Sequence, residues 1–361
     1  MLVKQKLQMQ TTDGIVLLAK QPGVTSFSSL NNVKKSLNTT KVGHTGTLDS
    51  FAQGLLVVCT GKMTKLVSHI TEFDKSYSAV IKFGEETDTL EFTGSVVKKA
   101  PMPSLEGLKE ALGHFTGELF QAPPAYSAVH VDGHRASDLA RRGIEVEIPK
   151  RKITVFRAEL KETELEAGTQ NVLYARVDFT VSKGTYIRCL ARDIASACGS
   201  AGHLAGLLRT TVGNFKLSDA AGLSLLEEFS IASAKKTAGE FLKKEAEKAA
   251  AGEGDTVIRK KGPYIPTATD LLIQKEIHEK IQQFSEETSL LCGFENIHLK
   301  SEKHLEEFRN GKKLLLSMFE VSISFNKEKT FAVFFDNKFT GLIEKDNKNK
   351  LIYKFVVNQI L

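Results

Sequence analysis

Alternating hydrophobic and polar positions predict strands in the first two-thirds of the chain. From Leu173 to Val181 every second residue is apolar, and the residues between them are polar or aromatic. This period of two is that of a strand with one buried face. A weaker alternation over residues 76–83 predicts a second strand. Half-buried strands of this kind are typical of an antiparallel sheet with one solvated face.

Two segments show helical spacing instead. Apolar residues recur over positions 27–37 after Pro22-Gly23, and again over 187–194 after the Lys183-Gly184 turn. The second helix places Arg188 in its first turn, where a cation opposes the helix dipole. We therefore expect a carboxylate partner for Arg188, and a solvated arginine is the alternative.

The chain divides into three units by pattern. Residues 1–228 form the mixed α and β unit. Residues 229–264 are rich in Ala, Lys and Glu, and they predict an exposed linker or insertion that buries little and takes no part in a site. Alternation over 319–325, 331–335 and 351–357 predicts a small β-rich domain over 265–361. The predicted fold class is α+β.

Composition narrows the function without defining it. The net charge is +6 over 361 residues, which is compatible with nucleic acid but not diagnostic. No run of 18 apolar residues or N-terminal signal core occurs, so no membrane association is expected. The four cysteines are scattered, which favours free buried thiols, no metal and a cytoplasmic location. Phosphate-loop and dinucleotide motifs are absent, so no cofactor is expected.

One loop carries candidate chemistry. Residues 41–54 are dense in glycine and threonine, and they place a single carboxylate, Asp49, just before the apolar run 55–60. Glycine lets the backbone approach a ligand closely, and an aspartate there is a candidate nucleophile or acid–base group. Ordinary turn chemistry uses the same residue types and is the alternative.

Several motifs in order identify a family resemblance. The Asp49 loop contains Gly-His-Thr-Gly-Thr-Leu-Asp followed by Ala-x-Gly, and it resembles the catalytic motif of TruB-class tRNA pseudouridine synthases of the bacterial, stand-alone type. Further matching motifs are Lys20–Ser26, Asp74–Tyr77, Gly84–Thr89, Gln121–Ala128, Ser182–Arg188 and Leu207–Thr210. The resemblance covers roughly residues 12–225 and is weaker from 265 onwards. Ser50, Phe51 and Gln53 depart from the family pattern, which usually has proline at position 50.

The resemblance implies a fold and a reaction. The fold is a mixed, mainly antiparallel sheet of the pseudouridine synthase type, with a PUA-like RNA-binding domain at the C-terminal end. A packing or dimerisation module is the alternative for that domain. The reaction is the isomerisation of uridine 55 in the tRNA T-loop to pseudouridine, without metal or cofactor. A glycosidase would need a second carboxylate to activate water, and the motifs identify no such partner for Asp49.

The resemblance also implies site residues. Asp49 would be the catalytic carboxylate, Tyr77 would stack on the uracil, and Arg188 would pair with Asp49 through a bidentate contact. The residues expected at the substrate are His44, Leu208 as the pocket floor, Lys20, Gly46 and Thr47. Four of these residues have a structural alternative: a loop hydrogen bond for His44, core packing for Tyr77 and Leu208, and solvated surface for Lys20.

Substrate choice would depend on residues 121–152, which resemble the family's thumb loop. Its expected RNA-binding residues are His130, Arg135, Arg141 and Arg142. Interleaved acidic residues leave an ordinary solvated face as the alternative. Guide-RNA-dependent relatives of the dyskerin type lack this insertion, so a stand-alone enzyme that binds the T-arm without guide RNA is expected. A monomer is also expected. A tRNA-folding chaperone and an inactive RNA-binding relative stay open as other functions.

Overall fold

The computed structural model describes residues 12–127, 129–131, 133–144, 148–250, 266–320, 330–346, 348 and 350–357. In chain order the strands are β1 (Gly14–Lys20), β2 (Val42–His44), β3 (Gln53–Thr60), β4 (Lys75–Phe83), β5 (Glu85–Thr87), β6 (Val96–Lys99), β7 (Gly117–Gln121), β8 (His130–Val131), β9 (His134–Arg135), β10 (Arg151–Leu165), β11 (Val172–Val181), β12 (Gly202–Val212), β13 (Phe215–Lys216), β14 (Glu295–His298), β15 (Thr330–Phe335), β16 (Lys338–Lys345) and β17 (Leu351–Val356). The helices are α1 (Ser26–Ser36), α2 (Val67–Thr71), α3 (Leu105–His114), α4 (Ala136–Arg141), α5 (Ile187–Ala197), α6 (Ile231–Ala250), α7 (Ala268–Lys280), α8 (Glu286–Leu291) and α9 (Glu302–Arg309).

A nine-stranded sheet forms the centre of the first unit. Its strands follow the order β1-β3-β12-β4-β11-β10-β7, with β2 paired to β3 and β13 paired to β12. Neighbours are antiparallel except β3 and β12, which run parallel. The strands β14-β15-β16-β17 form a separate four-stranded sheet near the C-terminal end. The predicted α+β class with a mainly antiparallel sheet is confirmed.

The strongest sequence patterns form the elements they predicted. Along β11 the alternate residues Ala175, Val177, Phe179 and Val181 are buried. They pack in one cluster with the apolar face of α5, which begins at Ile187 as its spacing predicted. This cluster fills the space between the sheet and the helices α3 and α5, so the first turn of α5 has a fixed position beside the ends of β4 and β11.

Helix α6 corrects the prediction for residues 229–264. Ile231 and Ala234 are buried and pack on Val80 and Ala205, so α6 lies on the sheet face opposite α5. A Cβ atom at Gly206 would lie 2.7 Å from that of Ala234, which shows how closely helix and sheet approach. The expected exposed linker is therefore wrong for the start of this segment. A few apolar residues on one helix face are enough to pack this helix against the sheet. The average composition of the whole segment does not reveal them. Residues 251–264 lie outside the described residues.

The C-terminal segment continues the first unit before it forms its own sheet. Ile15 in β1 exchanges two backbone hydrogen bonds of 2.9 Å with Gln282, and α7 packs against α1. Strands β15 and β17 match the predicted alternation over 331–335 and 351–357, whereas residues 321–325 lie outside the described part. The two sheets share one core cluster, which includes Leu17 and Leu55 from the first sheet and Phe334 and Phe339 from the second. A PUA-like identity for this region stays a prediction.

The cysteines and helices add two observations. Cys59, Cys189 and Cys292 are buried free thiols, and Cys198 is a half-buried one. Burial raises the pKa of Cys189 to about 12 and that of Cys198 to about 11, so both stay protonated at neutral pH. Within the described ranges, no helix combines the length and the apolar composition needed to cross a bilayer.

Candidate active site

An open cleft of about 490 Å³ lies where the Asp49 loop, β4, β12, the start of α5 and the 121–152 segment meet. Its volume is in the range typical of small-molecule sites. It is lined by Thr45, Gly46, Thr47, Leu48, Asp49, Thr71, Lys75, Tyr77, Tyr126, Ser127, Arg135, Ser137, Val181, Ser182, Gly184, Thr185, Tyr186, Ile187, Arg188, Leu207 and Arg209. The structure thus brings together the three residues expected to be catalytic, which are far apart in sequence.

The Asp49 loop is held from behind by the segment 20–26. The Ser26 hydroxyl donates to the Leu48 carbonyl at 3.0 Å and accepts from the Leu48 amide at 2.8 Å. The Gly23 amide donates to the Ser50 carbonyl at 2.8 Å. The buried Lys20 ammonium also donates to that carbonyl, at 3.2 Å. Burial lowers the pKa of Lys20 to about 7, and the Asp49 carboxylate opposes this shift. Lys20 therefore approaches the loop, and its solvated alternative is wrong.

Arg209 holds the other side of the loop. Its guanidinium is buried and donates to the Leu55 carbonyl at 2.7 Å and to the Gly46 carbonyl at 3.1 Å. The close contact between β3 and β12 requires glycine at position 54, where φ is +106° and a Cβ would lie 2.4 Å from the Arg209 carbonyl oxygen. Burial, reinforced by the charge of Arg209, lowers the pKa of His44 and lowers that of Lys75 to about 8. Sequence reasoning did not identify Arg209 as part of the site.

Asp49 and Arg188 form an ion pair at the cleft. Nε of Arg188 lies 3.2 Å from Oδ2 of Asp49; the arginine side chain is 7% exposed and the aspartate 35%. The contact is not the expected bidentate one, and Nε lacks hydrogen-bond geometry. The other guanidinium nitrogens donate to the Thr89 carbonyl at 3.0 Å and to the Tyr126 carbonyl at 2.9 Å. Arg188 therefore connects the Asp49 loop to two other loops while Asp49 stays accessible.

Glu91 is a second carboxylate that sequence reasoning missed. Its Oε2 lies 4.0 Å from Nη1 of Arg188 and makes no hydrogen bond within the described structure. Burial and then the Asp49 charge raise the pKa of Glu91 to about 7, against the opposing charge of Arg188. Glu91 is buried where its turn contacts Leu204, which is distant in sequence. The only signal in the sequence itself was its position two residues after the Gly84–Thr89 motif.

Replacing Glu91 with glutamine should change how stability depends on pH. The folded-state pKa is raised above the ordinary 4.5, so the wild type loses stability as pH rises from about 4.5 to about 7. We compare the free energy of unfolding of Glu91→Gln with that of the wild type. The difference, variant minus wild type, should increase by about 3 kcal/mol over this pH interval and stay constant at higher pH. Urea titrations at several pH values measure it.

Glu85 supplies a control of opposite sign. A hydrogen bond from Lys82 lowers the pKa of Glu85, so its carboxylate stabilises the fold at neutral pH and ceases to do so in acid. Glu85→Gln should therefore lose stability relative to the wild type as pH rises. A difference between Glu91→Gln and the wild type that stays constant with pH would show that Glu91 is not held in its neutral form.

Tyr77 lies on β4 and faces the cleft, but Leu208 does not. The leucine that lines the cleft is its neighbour Leu207, whereas Leu208 points toward the backbone of Gly54, 2.9 Å from where a Cβ there would lie. This corrects the expected pocket floor by one position. The physical reason is that successive strand residues face opposite sides, and β12 carries two register shifts that the sequence does not reveal.

The remaining loop residues that were expected at the substrate differ in where they lie. Gly46 and Thr47 line the cleft, as expected of substrate-contacting residues. His44 is half-buried and absent from the lining; its Nδ1 accepts a long hydrogen bond from the Gly46 amide at 3.4 Å. This contact matches the loop-stabilising alternative for His44. No group of three or more potential metal ligands is found among the described residues.

The 121–152 segment lies over the cleft. Val129, Ala136 and Ile148 pack against Tyr186 just before α5, and the Gln121 side chain both donates to and accepts from the Tyr186 backbone. The expected RNA-binding arginines separate: Arg135 lines the cleft, Arg142 is exposed, and Arg141 forms an exposed pair with Asp138 at 3.1 Å. The side chain of His130 lies outside the described part.

Comparisons of this sequence with known proteins indicate one family. Residues 34–187 match the family model described as TruB family pseudouridylate synthase, N-terminal domain. A protein named tRNA pseudouridine synthase B from Treponema denticola is 42% identical over 319 residues, which cover 84% of this chain and 85% of that protein. A protein of the same name from Bordetella avium is 44% identical over 226 residues, covering 62% and 90%.

Solved structures show the same fold. A chain in the crystal structure of a Cbf5–Nop10–Gar1 complex superimposes with a TM-score of 0.60 at 19% identity, covering 96% of this chain and 85% of that one. A chain in an H/ACA ribonucleoprotein bound to a substrate RNA containing 2′-deoxyuridine gives a TM-score of 0.60 at 18% identity, with coverage of 96% and 86%. At this identity the similarity concerns the fold alone.

Proposed function

The chain belongs to the TruB family of pseudouridylate synthases, and from this premise we propose that it converts uridine 55 in the T-loop of tRNA to pseudouridine. The observation that carries the proposal is the accessible Asp49 carboxylate, paired with the buried Arg188 at 3.2 Å in the cleft that Tyr77 also lines. Relatives at 42–44% identity carry the name tRNA pseudouridine synthase B, which supports tRNA as the substrate.

The chemistry requires little beyond these groups. The bond from ribose C1′ to uracil N1 breaks, the base turns, and C5 bonds to C1′. C5 loses a proton and N1 gains one, so the reaction is an isomerisation without redox change. Asp49 supplies the carboxylate that acts beside C1′ or C6. Arg188 fixes its position, and Tyr77 stacks on the uracil and assists the proton at C5. The cleft receives the uridine after it leaves its stack, which costs a few kcal/mol.

The thumb segment, residues 121–152, would bind the T-arm without guide RNA. Arg135 lines the cleft, and the adjacent residues Arg141 and Arg142 are exposed at the C-terminal end of α4. Phosphate contacts of this type position the RNA and do not read its sequence. Because the segment packs on Tyr186 and holds Arg188 through the Tyr126 carbonyl, RNA bound there lies directly beside the Asp49 pair.

The salt dependence of binding tests the thumb arginines. Replacing Arg141 and Arg142 with alanine should lower the slope of log affinity against log salt by roughly one per lost phosphate contact. Fluorescence anisotropy with a T-arm stem-loop at several salt concentrations measures the slope. Lys109→Ala, on the exposed face of α3, is the matched control. An unchanged slope in the double variant would show that Arg141 and Arg142 do not contact phosphate and belong to an ordinary solvated face.

Direct mapping of the product tests the proposed reaction. Purified protein is incubated with an unmodified tRNA transcript, and pseudouridine is located by chemical modification and primer extension. We expect pseudouridine at position 55, and we expect none at that position in a transcript that carries cytidine there. Modification only at another uridine would overturn the assigned position, and no pseudouridine in any tRNA transcript would overturn the isomerase itself.

A further inference from the structure

Three phenylalanines link helix α6 to the Asp49 loop. Phe51, two residues after Asp49, packs edge-to-face on Phe92, with ring centroids 5.5 Å apart and planes at 82°. Phe92 in turn packs edge-to-face on Phe241 of α6, at 5.7 Å and 85°. Edge-to-face packing is favourable for aromatic rings and depends on their relative orientation. The position of one ring therefore constrains the position of the next, in addition to burying apolar surface.

Phe241 also touches the segment that holds the loop from behind. A Cβ atom at Gly23 would lie 4.0 Å from Cδ2 of Phe241, so the ring is in van der Waals reach of this backbone. The Gly23 amide donates to the Ser50 carbonyl at 2.8 Å. One side chain of α6 therefore supports two consecutive loop residues, Ser50 by way of Gly23 and Phe51 by way of Phe92.

Helix α6 is itself fixed to the sheet, so this support is rigid. Ala234 is buried against β12, and Phe241 lies seven residues later, which places both on one helix face. Near the helix start Lys235 pairs with Glu164 of β10 at 2.7 Å. The contact of Phe241 with the loop is therefore a continuation of the packed face of α6 and not an isolated surface contact.

The aromatic contact is close to the reacting groups. Leu207 lines the cleft with Asp49 and also borders the small space beside Phe51 and Phe92. A shift of the Phe51 ring would thus move both the loop that carries Asp49 and the leucine opposite it. Ser50 leaves its own φ free, unlike proline, so the loop depends on neighbouring contacts for its position.

We propose that Phe241 is a positioning residue for the Asp49 carboxylate, acting through Phe92 and Phe51. The inference rests on the proposed isomerisation. Misplacing a catalytic group by a fraction of an ångström lowers the rate of the chemical step, whereas RNA affinity is supplied by other surfaces. Phe241 therefore affects turnover and not binding, and α6 belongs to the catalytic unit.

Single-turnover kinetics on a T-arm stem-loop test the proposal, with dissociation constants measured in parallel. Phe241→Ala should lower the saturating single-turnover rate constant about tenfold and leave the dissociation constant within twofold. Phe241→Leu, which keeps an apolar contact, should recover part of the rate. Leu242→Ala, at the adjacent exposed position, is the matched control and should behave as the wild type. Thermal unfolding confirms that each variant is folded at the assay temperature.

A second measurement is independent of activity. The Ala52 amide donates to the Asp49 carbonyl at 3.2 Å, and its hydrogen exchange should be about tenfold faster in Phe241→Ala than in Leu242→Ala. If Phe241→Ala is unfolded, Phe241→Leu takes its place in both assays. A rate constant within twofold of an active wild type, or unchanged exchange at Ala52, would overturn the inference. An inactive wild type would overturn the proposed function instead, and exchange at Ala52 would still decide the role of Phe241.

Discussion

Asp49→Asn is expected to lower pseudouridine formation at least about a thousandfold while the affinity for a T-arm stem-loop stays within a few-fold. Asparagine keeps the shape of the side chain but removes the charge that faces Arg188 at 3.2 Å. In the proposed reaction the carboxylate acts on carbon atoms of the flipped uridine and not on phosphate, so we expect binding not to depend on it. Single-turnover product analysis and anisotropy titrations measure the two quantities on the same RNA.

Asp219→Asn is the matched control, because this carboxylate is exposed and lies outside the cleft. It should leave both rate and affinity unchanged. Pseudouridine formation by Asp49→Asn at a near-normal rate would refute the catalytic assignment. The same variant distinguishes a tRNA-folding chaperone from an isomerase: tRNA refolding that persists without any modification would reveal a chaperone activity separate from the carboxylate.

The sequence predicted those parts of the fold that depend on local periodicity. The alternation in β11 and the helical spacing in α5 are long and regular, and both elements are observed. The contiguous glycines and single carboxylate of the Asp49 loop made it a candidate site, with ordinary turn chemistry as the alternative, and its catalytic role stays a prediction that the family resemblance implies. In each case the information needed lies within about a dozen neighbouring residues.

What the sequence did not predict depends on contacts between distant segments. Glu91 lies near Arg188 because its turn pairs with Leu204 of β12. Leu207 faces the cleft, and Leu208 does not, because the pairing of β12 with β4 decides which alternate residues face it. Helix α6 appeared exposed because its composition is polar on average, although one narrow face fits a sheet that offers Gly206 and Ala205. The register of a strand, the burial of a side chain and the packing of a helix depend on the surface that each one contacts. Residues neighbouring in sequence do not describe that surface.

Arg188→Lys should lower the single-turnover rate constant by about 10²–10³-fold. The guanidinium places separate nitrogens on Asp49, on the Thr89 carbonyl and on the Tyr126 carbonyl, and a single ammonium cannot reproduce this planar spread. The variant should also lose about 1–3 kcal/mol of stability, since buried carbonyls lose their donors. Because Tyr126 belongs to the thumb segment, RNA affinity should weaken as well, although less than the rate.

Arg192→Lys provides the control on the same helix. Arg192 is more exposed and pairs with its neighbour Asp193, so its replacement should leave the rate within twofold of the wild type. Stopped reactions with excess enzyme give the rate constants, and urea titrations give the stabilities of both variants. If Arg188→Lys turned over at a near-normal rate, the fork of hydrogen bonds would be dispensable, and the ion pair with Asp49 would be a feature of the unbound protein without a role in catalysis.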